Sequence, residues 1–178
     1  MKPSVFTLVL LALLSLVSCN SEPSLQKYFV EHTEKKDFIA LDVSSNILNL
    51  DKANLTAEQN EALKSFDKMN ILAFKANDKN QAEFATERTK VNAILKDPKY
   101  QQLMKVGSGK DGASISYVGS DENIEEFVIF ANRKENGFAV VRVLGKNMNP
   151  NNIMTIMSVL QKSNIDMEQL KPLQQLIK

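Results

Sequence analysis

The chain has 178 residues, with 22 Lys and Arg against 21 Asp and Glu, one histidine and one cysteine. A net charge this close to zero supplies no long-range field to gather nucleic acid or an anionic surface, and a lone cysteine excludes an internal disulfide. The length suits one domain with a sizeable core and is thin for two.

The first element stands apart from the fold. Lys2 precedes the uncharged run Val5 to Val17, which is too short for a ~30 Å hydrocarbon core that takes about 20 apolar residues to cross. It predicts a secretory signal peptide over residues 1–18. Leu16-Val17-Ser18-Cys19 then looks like a bacterial lipobox, with the small Ser18 before the cut and Cys19 as the lipidated first residue of the mature chain. An ordinary signal peptide with an incidental, free thiol and an uncleaved anchor are the alternatives. Multiple acylation would meet the requirement of at least two membrane signals for stable anchoring. Residues 19–23 are read as the lipidated cysteine and a short polar tether, and 24–178 as a single globular domain held close to the membrane.

Ser24 is a helix N-cap in this reading, and Leu25, Tyr28, Phe29 and His32 follow at i, i+3, i+4 and i+7 on one helical face. Phe38 to Ser44 predicts a strand and Ser45 to Leu50 a short helical turn. Thr56 and Gln59 form a capping box that opens a helix carrying Leu63 and Phe66. Met69 to Lys75 predicts a second strand. A longer helix from about Asn80 to Leu95 turns Phe84, Val91, Ile94 and Leu95 toward the core, and Pro98 stops it.

From Tyr100 the pattern changes to strands joined by tight turns: Tyr100 to Val106, Ser114 to Val118, Phe127 to Asn132 and Phe138 to Leu144. Asn136-Gly137 matches a hairpin turn with two positive φ values. Ile153, Ile156, Met157 and Leu160 repeat the helical spacing, and a final helix is expected from about Met167. Strands that first alternate with helices and then pair locally predict an α+β two-layer domain: a mixed sheet ending in an antiparallel meander, with helices on one face.

Several stretches invite chemistry. Gly107-Ser108-Gly109-Lys110-Asp111-Gly112 spells the dinucleotide fingerprint, but that motif needs a helix after it, and Ala113 to Val118 is a strand pattern. It is read as a turn between strands. A Walker loop fails because the glycine spacing is wrong and no Ser or Thr follows Lys110. His32, as the only histidine, weakens schemes that need imidazole, and its position favours packing. Zinc lacks ligands once the thiol is committed to lipid. Met148, Met154, Met157 and Met167 offer thioethers for Cu(I), against the plainer reading of core filling. Asp121, Glu122, Glu125 and Glu126 are the densest acidic patch, open to Ca²⁺ binding or carboxylate catalysis but read as a solvated loop that protects strand edges. No catalytic, metal-binding or cofactor-binding residue is assigned, and no cofactor is expected.

The lipobox, the first helix, Phe38-Ile39-Ala40-Leu41-Asp42-Val43-Ser44, Tyr100-Gln101-Gln102-Leu103-Met104-Lys105-Val106 and the Phe127-to-Gly145 hairpin together resemble a Bacteroidota lipoprotein family, domain of unknown function 4252. The resemblance covers roughly the whole mature chain and implies an envelope lipoprotein without known active-site residues to carry over. The expected function is a non-enzymatic module binding a protein or ligand, tethered through Cys19 to a cell-envelope membrane, the outer membrane on its periplasmic side. The expected contacts are the membrane and an envelope protein, with no nucleic acid. A small carboxylate-based enzyme and an envelope-stress regulatory lipoprotein are the alternatives.

Overall fold

The computed structural model of the chain describes residues 22–45, 55–107 and 111–162. Leu16 to Cys19, the expected turn at 46–50, Lys110 and the expected helix from Met167 lie outside the described residues.

The elements in chain order are α1 (Leu25–His32), β1 (Phe38–Ser44), α2 (Ala57–Lys64), β2 (Phe66–Lys75), α3 (Gln81–Ile94), β3 (Gln101–Gly107), β4 (Gly112–Ser120), β5 (Asn123–Arg133), β6 (Gly137–Met148) and α4 (Pro150–Lys162). Both expected caps form. Ser24 Oγ accepts from the Lys27 amide at 3.3 Å. Thr56 Oγ1 accepts from the Gln59 amide at 3.2 Å while Gln59 Oε1 accepts from the Thr56 amide at 3.0 Å, so two of the amides that a helix start leaves unpaired are satisfied reciprocally.

The described strands form one six-stranded sheet in the order β1-β2-β6-β5-β4-β3, and every neighbouring pair is antiparallel. This corrects the expected mixed sheet. The segment carrying α2 joins two adjacent antiparallel strands, so it is a long hairpin connection rather than a crossover to a parallel neighbour. The segment carrying α3 leads from β2 to the far edge of the sheet, where β3 meets only β4.

The helices lie on both faces, which corrects the expected two-layer arrangement. Leu25, Tyr28 and Phe29 of α1 and Phe84, Val91 and Ile94 of α3 share one core with Leu72, Phe74, Val128, Phe130, Phe138 and Val140. Ala62 and Leu63 of α2 and Ile153 and Ile156 of α4 share the other with Met69, Phe127, Val143 and Met148. The physical reason is in β2, where Ile71, Leu72, Ala73 and Phe74 are all buried. Successive side chains on a strand face opposite ways, so a continuous apolar run needs cover on both sides.

Arg133 pairs with Gly137, so Lys134, Glu135 and Asn136 make the β5–β6 turn, and of Asn136 and Gly137 only Gly137 has positive φ, at 120°. The expected turn with two positive φ values is therefore corrected. The glycine stretch runs from the end of β3, at Gly107 with φ 80°, to the start of β4 at Gly112. It joins strand to strand, and Gly107 rather than Gly112 holds the positive φ.

Candidate functional site

Four alanines stand in one row across the centre of the sheet: Ala73 pairs with Ala139, Ala139 with Ala131, and Ala131 with Ala113. Strand alternation directs all of them to the α2/α4 face. The next row on that face is bulky throughout, with Leu41, Ile71, Val141, Ile129 and Ile115 in register. That row packs on its far side against the core under α2 and α4.

A row of methyl groups lies lower than a row of branched side chains, so the surface steps down beside the second row. The step is a trough of about 720 Å³, lined among the described residues by Ala113, Ala131, Ala139, Ile71, Val141 and Val106, and by no residue of α2 or α4. Its size falls within the several hundred Å³ of ordinary small-molecule sites. Val106, on edge strand β3, is 56% exposed. Arg133 at the end of β5, with Asn136 and Asp111 from the β5–β6 and β3–β4 turns, makes the polar rim. Asp111 Oδ1 accepts from the Lys134 amide at 2.8 Å, which ties the two turns together. The Asn132 side chain, between Ala131 and Arg133, turns to the opposite, α1/α3 face, where Nδ2 donates to Gly112 O at 3.3 Å and the buried Oδ1 has no hydrogen-bond partner among the described residues.

A second cleft, of about 810 Å³, lies between α1 and the end of α3 and contains His32. Here the polar groups are spent on one another. Tyr28 OH donates to Glu87 Oε2 at 2.9 Å and Lys90 Nζ donates to Glu87 Oε1 at 2.8 Å. His32 Nδ1 lies 2.7 Å from Tyr28 O, so it carries a proton. Nε2 lies 3.0 Å from Glu87 Oε2 and 2.9 Å from Lys35 Nζ, where it donates to the carboxylate when protonated and accepts from the ammonium when neutral. Burial and then the Glu87 carboxylate push the Tyr28 phenol well above its usual value. For Glu87, burial works upward, but the bonds from Lys90 and Tyr28 and the charges of His32 and Lys90 hold it below the usual carboxylate range. A single carboxylate with both oxygens engaged is not an acid–base pair poised for catalysis. It ties α1 to α3.

The remaining sequence candidates do not converge. Asp121 accepts from Tyr117 OH, and that bond, followed by burial, raises the Tyr117 phenol. Glu126 pairs instead with the buried Arg142, while Glu122 and Glu125 are exposed. The solvated-loop reading therefore holds for Glu122; Glu125 is exposed but lies on strand β5, and Glu126, on the same strand, is paired. Met148 is fully buried and Met154 is 61% exposed, so no thioether cage forms from them; the Met157 side chain and Met167 lie outside the described residues. Among the described residues, no group of three or more His, Cys, Asp or Glu is placed to hold a metal ion.

Sequence reasoning missed the alanine row, because register between strands has no local signal. It also missed Glu87, for which a signal existed: Phe84, Glu87, Val91 and Ile94 share one helical stripe, and a carboxylate on an apolar stripe needs a partner.

Comparison with curated proteins found no match, and comparison with solved structures found none. A family model described as Domain of unknown function (DUF4252) matches residues 28–156, from within α1 to within α4, and the chain belongs to that family.

Proposed function

We propose that the protein is a tethered binding module of the bacterial cell envelope, anchored by lipid on Cys19 and presenting the trough on its α2/α4 face to a ligand or partner. The trough carries this reading: an apolar depression with a polar rim, whose lining includes no described residue of α2 or α4. The address rests on the sequence. Leu16-Val17-Ser18-Cys19 has lipobox character behind a signal-like apolar run, and the resemblance is to Bacteroidota lipoproteins. Outer-membrane anchorage facing the periplasm is the location proposed. No described helix is long and apolar enough to cross a membrane.

A photo-reactive phenylalanine analogue at position 131, inside the trough, tests the site in native envelopes. The same analogue in place of Thr89, exposed on α3 at the other face, is the control. Position 131 is expected to capture a bound molecule that position 89 does not. Equal yields from both positions would remove the trough as the binding site.

A further inference from the structure

We infer that a small polar pocket on the α1/α3 face takes a monosaccharide carrying one anionic group, a carboxylate or a phosphate. The pocket lies across the sheet from the trough and stands or falls independently of it.

Strand register makes the pocket. On this face the row of Phe38, Phe74 and Phe138 runs on into Asn132, Gly112 and Gly107. The next two rows pass from Val140 and Phe130 to Ser114 and Lys105, and from Arg142 and Val128 to Ser116 and Gln102. β4 thus supplies one glycine and two serines where β5 and β6 supply larger side chains, and the surface drops between the end of α3 and the edge strand. The drop is a pocket of about 210 Å³, with Asn92, Leu95 and Lys96 on the helix side and Gln102 and Lys105 on β3. Drug-sized ligands occupy roughly 300–1,000 Å³, so this space suits one sugar ring.

Asn132 calls for a donor. It lines the pocket at 9% exposure, and its amide is oriented by Nδ2 donating to Gly112 O at 3.3 Å. The atom left over is Oδ1, buried and without a partner among the described residues. That oxygen can only accept, and a buried acceptor left unpaired costs stability. A leucine here would continue the apolar row without that cost. The amide makes physical sense where a bound hydroxyl completes it.

The two lysines call for an anion. Lys96 and Lys105 are exposed on opposite walls, and no described lining residue is a carboxylate. Neither ammonium belongs to the described ion pairs. Ser114, Ser116 and Gln102 add groups that both donate and accept, as ring hydroxyls require. An ionised acid without hydroxyls would leave Oδ1 unmet, and a neutral sugar would leave both ammoniums without a counter-charge.

The test is calorimetric titration of the full-length chain carrying Cys19→Ser with glucuronate and with glucose 6-phosphate. One-to-one saturable binding of at least one is expected, and the tighter of the two identifies the anionic group. Glucose, which lacks the charge, and propionate, which lacks the hydroxyls, should each bind at least tenfold more weakly. Lys96→Ala with Lys105→Ala removes the charges without touching the core, and should weaken binding at least tenfold at an unchanged melting temperature. Asn132→Leu should also weaken binding at least tenfold while the melting temperature holds or rises, since the unpaired acceptor is gone. Absence of binding by both charged sugars, or binding indifferent to both variants, would overturn the inference. So would glucose or propionate binding as tightly as the charged sugars. A lower melting temperature in Asn132→Leu would mean that the amide serves the fold, and would overturn it as well.

Discussion

Arg142 on β6 reaches diagonally to Glu126 on β5 and grips it with two hydrogen bonds, Nε to Oε1 at 2.6 Å and Nη2 to Oε2 at 3.1 Å. The guanidinium also sits 5.5 Å over the Phe29 ring, so the pair lies beneath α1. Side-chain exposures of 10% and 13% make this a buried pair, and removing one partner leaves the other charged and desolvated. Arg142→Ala or Glu126→Ala should each cost about 3–5 kcal/mol by chemical denaturation. Arg142→Met with Glu126→Leu should recover most of that loss.

The Tyr28–Glu87 contact makes stability fall at both extremes of pH. A phenol raised in the folded state ionises first in the unfolded chain. Its contribution is therefore complete below about pH 10 and is lost as pH climbs above that. Glu87 has the opposite sign: its lowered carboxyl stabilises above the usual carboxylate value of about 4.3 and loses that contribution as pH falls further. Tyr28→Phe should cost about 1.5–3 kcal/mol at neutral pH, for one hydrogen bond to a charged carboxylate, and should flatten the alkaline decline. The decline should not vanish, because burial raises Tyr100 and the Asp121 bond raises Tyr117. Melting temperatures from pH 3 to 11 read both limbs.

Gly137 closes the β5–β6 turn against β2. A Cβ built there would lie 1.9 Å from Phe74 O, and φ is 120°, where side chains are strained. Gly137→Ala should destabilise by at least ~2 kcal/mol. Glu135→Ala, exposed in the same turn, should change stability by less than about 0.5 kcal/mol. Comparing the two variants separates the backbone requirement from any general sensitivity of the turn.

Cys19→Ser should abolish acylation and leave an unprocessed or mislocalised precursor. Metabolic labelling with a clickable fatty acid reads this directly. Undiminished label in the variant would refute lipid attachment at this residue.

Local chemistry made much of the fold legible. Ser24, the Thr56–Gln59 box and the β1 boundaries needed only neighbouring residues, and the structure reproduces them. Helices on both faces were also signalled, by the unbroken apolar run Ile71-Leu72-Ala73-Phe74, which an alternating half-buried strand would not show. Strand order was not legible. Placing β6 between β2 and β5 depends on which apolar rows fit together over long separations, and no spacing within a strand encodes it. The candidate site inherits that limit, since Ala73 and Ala113 share a row only once the register of four strands is fixed.

A binding module whose site is the alanine trough must carry something in that trough in the envelope. Lipidation at Cys19 would consume the only native thiol, so an Ala131→Cys variant then carries a single reactive cysteine, on the trough floor. Its rate of maleimide labelling should be measured in intact envelopes and again on protein stripped of lipids and partners. Slow labelling in envelopes is expected, with labelling at least tenfold faster after stripping. Equal rates would mean that nothing sits on Ala131 where the protein works, and would contradict the binding-module reading.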